Sequence, residues 1–214
     1  RGGNCGDETR GAVRPPVFCG EGGGRVKIAV LGYSGAGKST LARALGEALG
    51  CPVLHLDRVN FLPGWRERDR GEARALVEAF LDRNGRSGWV IDGNYAALAR
   101  ARRLEEADRI VLFQSGRGRC LYQVWRRWRT NRGSVRESMA PGCPEKLDWE
   151  FVRWILWAGR SRAVRADYEA IRRHWSGKAA VLRTRRDAEA FLEAVRRQTG
   201  QTWEEGRNRR TDGA

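Results

Sequence analysis

The stretch Val26-Lys27-Ile28-Ala29-Val30-Leu31-Gly32-Tyr33-Ser34-Gly35-Ala36-Gly37-Lys38-Ser39-Thr40 decides the fold. Its first six residues form an apolar run of strand length, and residues 32 to 39 complete the pattern G-x-x-x-x-G-K-[ST]. Polyphosphate recognition needs each part of that pattern. Glycines at 32, 35 and 37 let the backbone turn tightly so that N–H groups point at phosphate oxygens; Lys38 neutralises the β and γ phosphates, and the Ser39 hydroxyl is a ligand for Mg²⁺. Ser34, Ala36 and Thr40 complete the nucleotide contacts. Glycine is common here, 27 of 214 residues, so the context counts for more than the pattern alone. The context agrees: apolar residues at 41, 45, 48 and 49 have helical spacing, which places the phosphates at a helix N-terminus.

Outward from this loop, residues 53–56, 89–91, 110–113 and 179–182 read as four more strands separated by helical patterns. Short apolar runs of this kind belong to a parallel sheet covered on both faces. The prediction is a three-layer α/β domain over 25–197 with a five-stranded parallel sheet and ligands at the carboxyl ends of the strands. Residues 1–24, Gly-rich and containing Pro15-Pro16, read as a disordered leader, and 198–214 as a flexible polar tail. One long helix is predicted over 148–174. Its Trp-rich first half is expected to bury against more than one neighbour, with a surface for an aromatic substrate or stacked bases as the alternative.

Five widely spaced cysteines without a C-x-x-C pair predict free thiols in a reducing cytoplasm, not a disulfide framework or zinc site. No apolar stretch approaches the roughly 18 residues of a membrane span. The net charge is +15, and all but four of the 41 basic residues are arginine. A basic balance fits a nucleic-acid footprint, but these arginines are spread along the chain instead of forming one run, which favours a polyphosphate-handling protein over a nucleic-acid binder. The reading admits a monomer or a dimer.

Two aspartates end strand-like runs, Asp57 after 53–56 and Asp92 after 89–91. In a sheet whose first strand carries the phosphate loop, such carboxylates approach Mg²⁺ or an acceptor hydroxyl; helix capping is the plainer alternative. Asp57 is assigned to the acceptor and Asp92 to Mg²⁺ and its waters. Residues 58–88, with Arg58, Asn60, Trp65, Arg66 and Arg68, are expected to form much of the acceptor pocket, although a polar surface loop explains them equally well. In the segment 119–132, Leu121, Trp125 and Trp128 are expected to share one apolar face. That leaves Arg127 as a catalytic cation and Arg126 and Arg132 as nucleotide contacts, or all three as solvated surface arginines. Gly142-Cys143-Pro144-Glu145 reads as a turn, and His55 as a strand residue.

Together, Gly32-Tyr33-Ser34-Gly35-Ala36-Gly37-Lys38-Ser39-Thr40, His55-Leu56-Asp57, Pro63-Gly64-Trp65, Trp89-Val90-Ile91-Asp92-Gly93-Asn94-Tyr95, Ala107-Asp108-Arg109-Ile110-Val111 and Gly142-Cys143-Pro144-Glu145 resemble the P-loop kinases of the adenylate kinase type. Within that group they resemble the bacterial topology modulation proteins, in family order over about residues 25 to 195. The resemblance implies ATP with Mg²⁺, a helical lid over about 115–147, and γ-phosphoryl transfer to a small acceptor such as a nucleotide or nucleoside. The alternative is a nucleic-acid-associated NTP-binding protein affecting DNA topology. Asp92-Gly93 looks like the Asp-Gly ending the third core strand of nucleoside monophosphate kinases, and Asp57 is similar in place to an acceptor-binding Asp. The chain departs from the pattern at Gln114-Ser115-Gly116-Arg117-Gly118-Arg119, where relatives carry an Asp-x-Pro-Arg-like stretch, and at Gln123, where an Arg is common.

Overall fold

The computed structural model describes residues 26–130, 138–144 and 147–211, with side chains through 198. The expected leader over 1–24, Arg132 and parts of the expected lid lie outside the described residues.

The apolar run leading to the phosphate loop is strand β1 (Lys27–Gly32). Its Ile28, Ala29, Val30 and Leu31 are wholly buried, each larger side chain contributing about 1.5–3 kcal/mol by leaving water. The loop then opens helix α1 (Lys38–Leu49), which buries Leu41, Ala42 and Leu45. Strand β2 (Val53–His55) leads directly into α2 (Leu56–Asn60). A small hairpin, β3 (Phe61–Leu62) and β4 (Arg66–Glu67), precedes α3 (Arg70–Asn84), whose N-terminal amides are capped by Asp69. Strand β5 (Trp89–Asp92), α4 (Arg100–Glu106), β6 (Arg109–Phe113) and α5 (Arg117–Thr130) follow. Helices α6 (Trp149–Leu156) and α7 (Arg162–His174), strand β7 (Ala179–Leu182) and α8 (Arg185–Thr211) complete the chain.

The main sheet has the order β2-β5-β1-β6-β7 and all four pairings are parallel. The chain runs first to one side of β1 and then to the other. Right-handed crossovers therefore set α1 on one face and the connections through α3, α4 and α5–α7 on the opposite face, with α8 returning to pack on α1. The switch point falls at the carboxyl end of β1, where Val30 is in register with Asp92 and Gly32 with Phe113. The five-stranded α/β architecture is the one predicted, and each predicted strand matches an observed one to within a residue or so.

The region after α5 departs from prediction. The helix expected over 148–174 is two helices joined by a 3₁₀ turn, Ala158–Arg160. Each has its own N-cap: Asp148 accepts from Phe151 N at 2.8 Å, and Ser161 accepts from Val164 N at 3.3 Å. The continuous apolar pattern hides these start signals. Nor is α6 buried on all sides. Ile155 is its one fully buried residue, while Trp149, Trp154 and Trp157 are 71%, 49% and 58% exposed. In α5 the buried residues are Cys120 and Val124, and Trp125 is exposed, so the inner face sits one residue away from the expected 121/125/128 stripe. Helical backbone continues through Thr211, where the sequence suggests a loose tail.

The hairpin gives Gly142-Cys143 its place. Gly64 N donates to Gly142 O (3.1 Å), and the Cys143 thiol donates to Leu62 O (3.3 Å) while accepting from Trp65 N (3.4 Å). Cys143, Met139 and Ala140 form a small second core with Phe61 and Trp65, so this cysteine acts as a buried packing residue in a turn. Among the described residues no helix is long and apolar enough to cross a membrane.

Candidate active site

The phosphate loop is built by contacts no side chain larger than hydrogen would permit. At Gly32 (φ +145°) a Cβ would lie 2.2 Å from the Phe113 carbonyl oxygen; at Gly35 (φ +75°) it would lie 2.6 Å from the Cys120 carbonyl oxygen. Strand β6 and helix α5 therefore form the bed on which the loop rests. Tyr33 N donates to Phe113 O (3.0 Å) and Ala36 N to Tyr33 O (3.1 Å), which closes the turn. The Lys38 ammonium donates to Tyr33 O at 3.0 Å, leaving two of its three protons for an anion.

From the other side the loop is held by Asn94. Its amide accepts from Gly32 N (2.9 Å) and donates to Gly32 O (2.7 Å), satisfying both polar groups of one residue. Asn94 sits in the turn after β5, and that turn is fixed by the wholly buried Arg103. The guanidinium donates to Leu98 O (2.9 Å), Gly93 O (3.3 Å) and Tyr95 O (2.7 Å). Burial, and then Arg100 nearby, lowers its pKa to about 10, so it remains a cation at neutral pH.

Asp92 ends β5 in register with His55 and is 5% exposed. Its Oδ2 is bonded to His55 Nδ1 at 3.0 Å, and its Oδ1 is buried without a partner. Such an orphaned carboxylate oxygen is costly unless a ligand or water completes it. Asp57, in α2, accepts from the Tyr95 hydroxyl at 2.8 Å. Burial, followed by the charge of Asp57, holds the Tyr95 phenol far above its ordinary pKa, so it remains a donor. The 55–57 segment and the turn after β5 are thus joined twice, through His55–Asp92 and Asp57–Tyr95.

Helix α5 meets the loop through Gln123, a position that the sequence marks only as a departure from the family pattern. The Gln123 amide, oriented by its hydrogen bonds, donates to Gly35 O (2.7 Å) and accepts from Arg119 Nε (3.2 Å). Arg126 is exposed, and Arg127 is half-buried one turn beyond Gln123. Arg160, in the turn between α6 and α7, stacks 3.9 Å over the Tyr33 ring and donates to Ser115 O (2.7 Å) and Ile155 O (3.1 Å). It also reaches the Cys120 sulfur at 3.0 Å; burial raises that thiol's pKa despite the neighbouring cations. Of the expected pocket residues, Arg68 is committed to Val59 O (2.8 Å) and to an ion pair with Glu72, and Trp65 to the hairpin.

Asn94, Arg103 and Arg160 are candidate-site residues assigned no role from the sequence, and Gln123, marked there only as a departure from the family pattern, holds the loop. Asn94 alone had a local signal, since it follows Asp-Gly at a strand end. The others act through partners 4 to 88 positions away, or 127 for the Tyr33 contact, and most of these contacts come from tertiary packing that leaves no local pattern.

No protein-family model matches the chain, and no curated protein is significantly similar to it. Among solved structures the chain is similar to shikimate kinase from Acinetobacter baumannii in complex with shikimate, at 18% identity and a TM-score of 0.47, over 85% of this chain and 94% of that one. It is also similar to shikimate kinase from Bacteroides thetaiotaomicron (18%, 0.46, 82% and 98%) and to a gluconokinase from Sinorhizobium meliloti 1021 (16%, 0.43, 85% and 97%).

Proposed function

We propose that the protein is a kinase that transfers the γ-phosphoryl group of ATP to a hydroxyl of a small acceptor, in the manner of the topology modulation proteins that its motifs resemble. The observation that carries this reading is that a glycine-cradled loop bearing Lys38 and the buried, half-satisfied carboxylate of Asp92 follow from the carboxyl ends of the adjacent strands β1 and β5. The residues fit Mg²⁺. Among the described residues no group of three or more His, Cys, Asp or Glu could hold a metal, and Mg²⁺ is usually bound by one or two carboxylates together with phosphates and water. Ser39 and Asp92 would hold it, and it would supply charge neutralisation between the β and γ phosphates.

Lys38 draws the phosphoryl oxygens toward Tyr33 and stabilises the charge that spreads over them during transfer. His55 fixes one oxygen of Asp92, which orients the other. Asp57 accepts from Tyr95 with Oδ1 and keeps Oδ2 for the acceptor hydroxyl, whose proton passes to that oxygen as the new O–P bond forms and the bond from the γ phosphorus to the β–γ bridging oxygen breaks, releasing ADP. Arg126, Arg127 and Arg132 would close over the triphosphate.

ADP formation with small hydroxylated acceptors, alongside calorimetry of Mg-ATP binding, tests this. Lys38→Ala lowers turnover by about 10²–10³-fold, as removal of one preorganised charge contact does, and Asp57→Asn abolishes transfer while ATP binding persists. Unchanged turnover in the first variant, or parallel loss of binding and transfer in the second, rejects the scheme.

A further inference from the structure

Two hollows lie near the loop, and they differ in size, place and chemistry. The larger, about 700 Å³, runs along α1 and the edge strand β2 and touches the loop region only at Thr40. The smaller, about 220 Å³, opens at Tyr33 and Ser34. Lys38, the residue that reaches β and γ phosphates, donates to Tyr33 O. Tyr33 is thus beside the Lys38 ammonium, and the smaller hollow is the one that opens on it.

The walls of that hollow define what it can hold. Ser34, Asn94, Tyr168 and Trp154 are among the residues that line it. Arg100 and Asp167 complete it, but they bind each other through two hydrogen bonds of 2.7 and 3.0 Å, so the pair offers polar atoms without net charge. Tyr168 is almost wholly buried and packs on Tyr33 with ring centroids 5.4 Å apart; burial, then Tyr33, raises its pKa, which keeps it a neutral hydroxyl. Hydroxyl, amide and phenol groups together with an indole suit a carbon skeleton carrying several hydroxyls. The volume falls below the roughly 300–1,000 Å³ of pockets that enclose drug-sized ligands. A nucleoside monophosphate, with base, sugar and dianionic phosphate, exceeds the space and finds no unpaired cation lining it.

Resting on the kinase reading above, we infer that the phosphoryl acceptor is an uncharged polyhydroxylated molecule of about hexose size, seated between Trp154, Tyr168 and Asn94. This departs from the nucleotide or nucleoside acceptor suggested by sequence. Asp57 does not line this hollow, so the inference rests on ATP-dependent transfer alone and moves the acceptor off the Asp57 Oδ2 contact proposed above, leaving Asp57 tied to the same turn through Tyr95.

Wild-type protein with Mg-ATP is assayed for ADP formation against myo-inositol, D-glucose and sorbitol, against the hydroxy acids gluconate and shikimate, and against AMP and CMP. The expected result is turnover with one or more neutral polyols in preference to the others. For that polyol, Trp154→Ala raises KM by about tenfold, the loss of one aromatic face, and Trp154→Phe restores most of it. Preference for AMP or CMP places the acceptor in the larger hollow and overturns the inference, as do preference for a hydroxy acid, turnover with none of the polyols, or an unchanged KM in Trp154→Ala. In these cases ADP formation with any other acceptor still upholds the kinase reading, and Mg-ATP binding measured by calorimetry upholds the nucleotide site on which it depends. Absence of Mg-ATP binding by folded wild-type protein overturns both.

Discussion

The turn after β5 binds the phosphate loop and helix α6 shares a hollow with it, and the two are held in opposite ways. The turn has little apolar bulk of its own, yet a buried guanidinium ties three of its carbonyls and a side-chain amide ties it to Gly32. Helix α6 is rich in aromatic residues, yet it leaves two tryptophans, and a third at its C-cap, facing solvent around one buried isoleucine. Aromatic content alone therefore says little about how firmly a segment is fixed. What fixes the loop is a small set of polar groups whose partners lack an alternative.

Substitutions can break this comparison, beginning with the largest effect. Gly32→Ala drives a methyl group into the Phe113 carbonyl at a backbone angle that L-residues avoid. It should cost at least about 3 kcal/mol through strain and displacement and abolish Mg-ATP binding; a urea midpoint within error of wild type would show that the loop is not pinned to β6. Asn94→Ala comes next. It strands the N–H and C=O of Gly32, so a loss of about 2 kcal/mol and weaker nucleotide binding should appear together in denaturation and calorimetry. The smallest effect belongs to Trp149→Ala. At 71% exposed, this large side chain should change stability by less than about 0.5 kcal/mol in the same denaturation assay. A larger loss would mean that α6 has a packing partner and that the contrast is false.

The fold was largely legible because strands buried on both faces are written as short apolar runs, and the loop pattern marks its own position between a strand and a helix. Residues 38, 57 and 92 were legible for the same reason, since each ends a strand or opens a helix. Helix α6 was misread because hydrophobic periodicity reports the composition of a face, not whether another element covers it. Asp148 and Ser161 marked two helix starts, but the apolar run between them concealed the break. Arg103 and Arg160 look like any other members of an arginine-rich chain. Only packing reveals them as buried organisers of carbonyl groups.

The grip of Asn94 on Gly32 has a consequence for motion. Because one amide satisfies both polar groups of that glycine, the turn after β5 cannot swing away without uncovering the Gly32 nitrogen. Deuterium uptake at that single position therefore counts openings of the turn, independently of any movement in the arginine-bearing helices on the far side of the loop.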